Sequence, residues 1–155
     1  MNVEQGAPAP DFRLPATGGR TVSPAEFRGQ PLVLYFYPKA DTSGCTRQAC
    51  DFQEALPGLG QFGVTVIGVS PDPVPALEKF AAKHGLLFPL ASDAEKQAAE
   101  LYRTWVQKSM YGRTYMGMER STFLVDRTGH IARIWRKVKV PGHVKAVTDA
   151  LQELG

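Results

Sequence analysis

Residues 32–37 (LVLYFY) form an unbroken apolar run, part aliphatic and part aromatic, stopped at once by Pro38. A strand with one wet face alternates polar and apolar residues, whereas a strand covered on both faces reads as a continuous run of this kind. The run therefore predicts a buried strand, central in its sheet. Residues 64–69 (VTVIGV) predict a second one, followed by a loop at Ser70, Pro71, Asp72 and Pro73 and a helix over about 75–84, for which Gly85 is a plausible stop.

Between the two strands lies a polar loop, 39–44, then a helical segment from Cys45 to Leu56 with Asp41, Thr42 and Ser43 available to cap it and Pro57 and Gly58 to break or kink it. The first thirty residues are short apolar pieces cut by Pro8, Pro10, Pro15, Gly18 and Gly19, with Pro24 opening a helical turn, which reads as a lead-in hairpin. Residues 86–90 suggest a short strand, and 93–102 a helix with Asp93 near its positive end. Residues 121–125 (STFLV) and 130–138 read as two strands joined by a turn, and a last helix spans about 142–154. Alternating strands and helices with a strand pair near the end predict an α/β sandwich with a mixed sheet flanked by helices. No linker or repeat divides the 155 residues, so one domain over 1–155 is expected.

Composition narrows the function classes. The net charge of +3 comes from scattered Lys and Arg without a polybasic run, so no nucleic-acid partner is expected. The start, MNVEQGAPAPDF, has no charged segment leading into an apolar one, and no run is long enough to span a bilayer, so the reading is cytoplasmic with no membrane partner. The two cysteines, Cys45 and Cys50, are too few for a secreted disulfide scaffold and suit a reducing compartment, where such a pair is catalytic or metal-binding. A zinc site needs about four ligands, and neither His84, His130 nor His143 stands at ligand spacing; each reads as a surface or helix-end residue, and no metal or cofactor is expected. Met110, Met116 and Met118, around a loop with Tyr111 and Tyr115, read as apolar packing near the site entrance.

Cys45 follows a buried strand, a loop and a Thr-Ser-Gly turn, which sets its sulfur at the first turn of a helix. Free N–H groups and the helix dipole favour an anion there, and the thiolate is the reactive form of cysteine. Gly44 lets backbone and a small ligand come close, and Thr42 places a hydroxyl three residues upstream.

The run 35–52, YFYPKADTSGCTRQACDF, resembles the active-site segment of the Q-type peroxiredoxins, the bacterioferritin comigratory protein subfamily, whose Pro-x-x-x-Thr-x-x-Cys signature is matched by Pro38, Thr42 and Cys45. The pieces VIGVSPD, LFPLASD and KSMYGRTYMGMERSTFLVD, with Gly129 after them, are similar to the family in the same order. Ser43 stands where many relatives have proline, which bears on loop rigidity and leaves the signature intact.

The resemblance implies a thioredoxin-like fold with an N-terminal hairpin extension and a thiol peroxidase acting on hydrogen peroxide and organic hydroperoxides. It implies Cys45 as the attacking thiolate, Cys50 as its resolving partner, Arg120 reaching the sulfur, Gln48 orienting that arginine and Pro38 shielding the site. Thioredoxin or a similar dithiol would restore the thiols of a monomer or weak homodimer. The rival readings are a thioredoxin-like thiol-disulfide oxidoreductase, whose usual Cys-x-x-Cys spacing is absent, and a peroxide-sensing redox switch. Ideal helix geometry separates Cα atoms five residues apart by roughly 8.6 Å. A disulfide tolerates at most about 7 Å, so the Cys45 helix is expected to unwind on oxidation.

Overall fold

The computed structural model describes residues 3–154. Strand β3 (Leu32–Phe36) is buried along its whole length. Its side chains alternate between two layers: Val33 and Tyr35, with Tyr37 just beyond, enter one core, and Leu32, Leu34 and Phe36 the other. This is why the run is apolar without interruption. Parallel β4 (Thr65–Ser70) pairs with it on one side and antiparallel β8 (Ser121–Val125) on the other.

Among the described residues seven strands make the main sheet, in the order β2-β1-β5-β4-β3-β8-β9, with β1 at Leu14–Ala16, β2 at Arg20–Val22, β5 at Leu90–Ser92 and β9 at Ile131–Trp135. Parallel pairs at β3, β4 and β5 are flanked by antiparallel ones, so the sheet is mixed. The expected N-terminal hairpin forms from β1 and β2 and extends this sheet through β5. Helices α1 (Ser43–Gly60), α2 (Val74–His84) and α4 (His143–Leu154) contribute to the core on one face, and α3 (Gln97–Leu101) to that on the other. The architecture is thioredoxin-like.

Several expectations need correction. Helix α1 starts two residues before Cys45 and runs through Pro57 to Gly60. A proline forfeits one ladder bond, but Pro57 is exposed and Leu59, fully buried, anchors the last turn in the core. The short strand lies at β5, not at 86–90. Helix α3 is only five residues long, with buried Asp93 ahead of it accepting from the Ala98 and Ala99 N–H groups at 3.3 and 2.8 Å.

The segment read as a loop around Tyr111 is a separate hairpin, β6 (Trp105–Met110) with β7 (Arg113–Met118). Tyr111 and Gly112 turn it at φ 52° and 77°, the positive values that tight hairpin turns require. Met118 is packed as expected, whereas Met110, Tyr111, Tyr115 and Met116 are exposed.

Gly68 on β4 sits where close packing demands a glycine. A Cβ there would lie 2.9 Å from Cζ and Oη of Tyr35. Tyr35 in turn stacks on Tyr37 and Phe52, with ring centroids 5.4 and 4.7 Å away, making an aromatic floor beneath α1.

Candidate active site

Thr42 is the cap residue of α1 in extended backbone, with φ −88° and ψ 157°. Its carbonyl accepts the first helical bond from the Thr46 N–H at 2.8 Å. The N–H groups of Ser43, Gly44 and Cys45 therefore lack partners within the helix, and Cys45 occupies the third position of the first turn. Its side chain is 1% exposed. The expected side-chain cap does not form: the Thr42 hydroxyl donates instead to the Lys39 carbonyl at 2.8 Å, closing the loop on itself. Ser43, exposed, is simply the first helical residue, and Pro38 sits half-buried where β3 ends.

Arg120 meets this sulfur from a distant part of the chain. Because β3 and β8 pair with Phe36 opposite Ser121, residue 120 falls beside the loop that leaves β3 for α1. Arg120 Nη2 donates to Cys45 Sγ at 3.2 Å, and Nη1 to Gln48 Oε1 at 2.6 Å. Gln48 lies one turn along α1 from Cys45 and is fully buried, so the amide and the sulfur hold the guanidinium as a fork. The Arg120 carbonyl accepts from the Val138 N–H at 2.9 Å, and the Glu119 N–H donates to the Thr104 carbonyl at 2.7 Å, which fixes the backbone on both sides. Gly44 is where the guanidinium comes close: a Cβ there would lie 3.2 Å from Arg120 Nη2. The close approach expected at this glycine is thus made by an arginine.

Two ties that sequence reasoning missed hold the loop before Cys45. Asp72 accepts from the Ala40 N–H at 2.7 Å and from the Ser70 hydroxyl at 2.8 Å, tying the loop to the end of β4. Asp41, at φ 62°, pairs with Lys83 at 3.1 Å and His84 at 3.5 Å, tying it to α2. The hydrogen bond from Lys83, then that from His84, holds the Asp41 carboxyl below its ordinary range. No local pattern announces these ties, since each joins residues more than thirty positions apart.

Cys50 is half-buried on the same helix, and neither cysteine is bonded to the other. Burial, with Glu54 and Asp51 adding to it, pushes the Cys50 thiol above its ordinary range. Among the described residues no group of three or more His, Cys, Asp or Glu side chains is placed to hold a metal ion.

His143 does stand at a helix start, but buried rather than at the surface. Its Nε2 lies 2.7 Å from the Thr122 hydroxyl, and its ring meets Phe52 and Trp135 edge to face. Burial, reinforced by Arg120, lowers its pKa from 6.5 to about 4. Below pH 6.5 the unfolded chain takes up a proton that the folded chain refuses until about pH 4, so the fold loses stability across that window. The loss from this one group is on the order of 3 kcal/mol when complete. Urea midpoints measured from pH 7 to pH 4 are expected to fall less steeply for His143→Gln than for the parent; equal slopes would contradict the linkage.

On this sheet, a sulfur lodged between open helical N–H groups and a guanidinium has what attack on an O–O bond requires, donors placed where negative charge develops. Fold and site together define the class of the thiol peroxidases. The AhpC/TSA family model matches residues 5–134, and the chain belongs to that family, the peroxiredoxins. It is 43% identical to Peroxiredoxin Bcp of Bacillus subtilis over 154 residues, covering 99% of this chain and 98% of that one. A variant of peroxiredoxin Q from Xanthomonas campestris superposes with a TM-score of 0.90 at 40% identity, over 93% of this chain and 92% of that one. The bacterioferritin comigratory protein of the same organism, whose trapped intermediate and ligand complexes concern alkyl peroxide reduction, gives 0.91 at 38% identity over 97% and 98%. These relatives place the chain with the Q type.

Proposed function

We propose that this thiol peroxidase reduces hydrogen peroxide and organic hydroperoxides with Cys45 as nucleophile, Cys50 as resolving thiol and thioredoxin or a similar dithiol as reductant. The observation that carries the reading is the Arg120 guanidinium bonded at once to Cys45 Sγ and Gln48 Oε1. The Cys45 thiolate attacks one peroxide oxygen, the O–O bond breaks, and the other oxygen leaves as water or an alcohol after taking a proton. The open N–H groups at the start of α1 and the Arg120 guanidinium receive the charge on the departing oxygen. Thr42, its hydroxyl engaged with Lys39, shapes the loop and presents its oxygen to the peroxide, and Pro38 limits water at the sulfur.

The Cys45 sulfenic acid then condenses with the Cys50 thiol, releasing one water and forming a disulfide. A dithiol reduces that bond by exchange and itself becomes a disulfide. The reading includes a single domain over 1–155 acting as a monomer or weak homodimer. A cytoplasmic setting suits the cycle, since reduced dithiols are present there; among the described residues no helix is long and apolar enough to cross a membrane.

The condensation needs movement. Both cysteines lie in the continuous helix Ser43–Gly60. In an ideal helix their Cα atoms are roughly 8.6 Å apart, beyond the about 7 Å a disulfide spans. The first turns must unwind, and unwinding also removes the burial that pushes the Cys50 thiol up. One equivalent of peroxide is expected to lower the intact mass by two protons per chain and to strip amide protection from residues 46–51. A covalent dimer would move the resolving step to a second chain, and equal protection in both redox states would overturn the unwinding. Cys50→Ser is expected to over-oxidise more readily, to the sulfinic acid, and to need an external thiol for turnover.

A further inference from the structure

Lys108 lies on β6 opposite Tyr115, and its side chain crosses the hairpin diagonally above Gly117. A Cβ at residue 117 would stand 3.2 Å from Lys108 Cδ and 3.4 Å from Cε, so glycine there leaves a lane for the aliphatic stem. At the end of that lane the ammonium donates to the Met118 carbonyl. Lysines on an exposed hairpin ordinarily extend into water. This one is half-buried and folds back toward the strand end that leads into Arg120.

Lys108 and Arg120 share the wall of a cavity of about 430 Å³, whose other charged lining groups are Glu119 and Lys137. Lys108, Arg120 and Lys137 put three cations in one wall, where they repel, an arrangement that costs free energy unless anions lie among them. Glu119 is one such anion. The other is the Cys45 sulfur when ionised, 3.2 Å from Arg120 Nη2. We propose that Lys108 is a positioning residue of the thiolate site, a second cation that Gly117 and the Met118 carbonyl place so that it acts with Arg120 to keep Cys45 ionised. The inference rests on Cys45 being the attacking thiolate.

A pH signature follows. Burial lowers the pKa of Lys108 below that of an ordinary lysine; Glu119 on β7's exit and Cys45 on α1 oppose the shift, and Arg120 adds to it. Tyr115 across the hairpin and Lys137 across the cavity are the other ionisable groups facing it. As pH rises the site therefore loses its lysine charge while Arg120 keeps its own. Peroxide attack is therefore expected to fall at alkaline pH as Lys108 becomes neutral.

The test compares Lys108→Met, Lys108→Gln and Lys108→Arg in the full chain. Stopped-flow reaction with hydrogen peroxide gives the pH profile, and iodoacetamide alkylation of Cys45 in a Cys50→Ser background gives the pH at which the thiol ionises. Lys108→Met is expected to slow attack at neutral pH by about three- to tenfold, to move the alkylation midpoint up by about half a unit, and to erase the alkaline fall. Lys108→Gln keeps a donor for the Met118 carbonyl and is expected to behave like Lys108→Met, which separates lost charge from a lost tether. Lys108→Arg is expected to restore the neutral rate and move the alkaline fall to higher pH. An unchanged alkylation midpoint in both neutral variants, or an alkaline limb that all three leave in place, would overturn the proposal. Alkylation needs no peroxide turnover, so a chain that consumed no peroxide would refute the peroxidase cycle while leaving the Lys108 question decided.

Discussion

Replacing Cys45 by serine is expected to abolish peroxide consumption coupled to thioredoxin while leaving the fold in place. The side chain is 1% exposed, beside Ala49 and Phe52, and serine differs from cysteine by one atom of smaller radius, so the packing of α1 on its aromatic floor survives. What is lost is the nucleophile. A serine hydroxyl does not ionise near neutral pH in this setting, because among the described residues the group that contacts it is Arg120, a permanent cation that donates and cannot act as a base. The helix start and the guanidinium stabilise an anion that the serine cannot supply. Turnover is expected to fall by at least about a thousandfold, on the scale of other removed nucleophiles. The check is peroxide consumption linked to a dithiol reductant, with circular dichroism to show an intact fold. More than a trace of turnover in a folded Cys45→Ser protein would remove Cys45 from the mechanism.

Replacing Arg120 by methionine is expected to slow the attack step by roughly 30- to 1,000-fold, the equivalent of about 2 to 4 kcal/mol for one removed transition-state donor. Methionine fills much of the volume of the arginine stem without its charge or donors. Two bonds disappear at once, the one to Cys45 Sγ and the one to Gln48 Oε1. The first loss leaves the sulfur without its guanidinium donor and the departing oxygen short of one. The second leaves a fully buried amide oxygen unpaired, at a stability cost of about 1 to 3 kcal/mol. The variant is therefore expected to fold with a lower melting temperature and to react slowly. The two effects are separated by stopped-flow reaction with hydrogen peroxide well below the variant's melting temperature. A second-order rate equal to the parent's would show that the short contact to the sulfur has no part in the chemistry. Arg120→Lys, which keeps a charge but cannot fork between sulfur and amide, is expected to recover only part of the rate.

Much of the architecture was legible because it is written at short range. The continuous apolar run at β3 encodes its burial on both faces, and Gly85 ends α2 with φ 63°. The position of Cys45 near a helix start was equally local, since it follows from the loop and cap residues just before it. The hairpin of β6 and β7 was missed for a related reason. Its strands lie largely at the surface, so their apolar residues follow no burial pattern, and its Tyr-Gly turn lacks the Asn or Asp that marks such turns.

Taken alone, then, the sequence placed the central strands β3, β4 and β8 and the helices α1, α2 and α4, and it set one cysteine where an anion is favoured. Periodicity, capping and turn chemistry act over a few residues and survive in a linear string. The family resemblance named Arg120 as the group that reaches this sulfur, but only the tertiary structure shows how it gets there. Arg120 lies 75 residues away, and it reaches the sulfur because β8 pairs with β3 in a register that sets Phe36 opposite Ser121. The same holds for the ties from Asp41 to Lys83 and from Ala40 to Asp72, which cross between layers, and for Lys108, turned back above Gly117 toward the same wall. Such contacts depend on how strands line up across a sheet and how helices lie upon it, and no residue type or spacing along the chain records that arrangement.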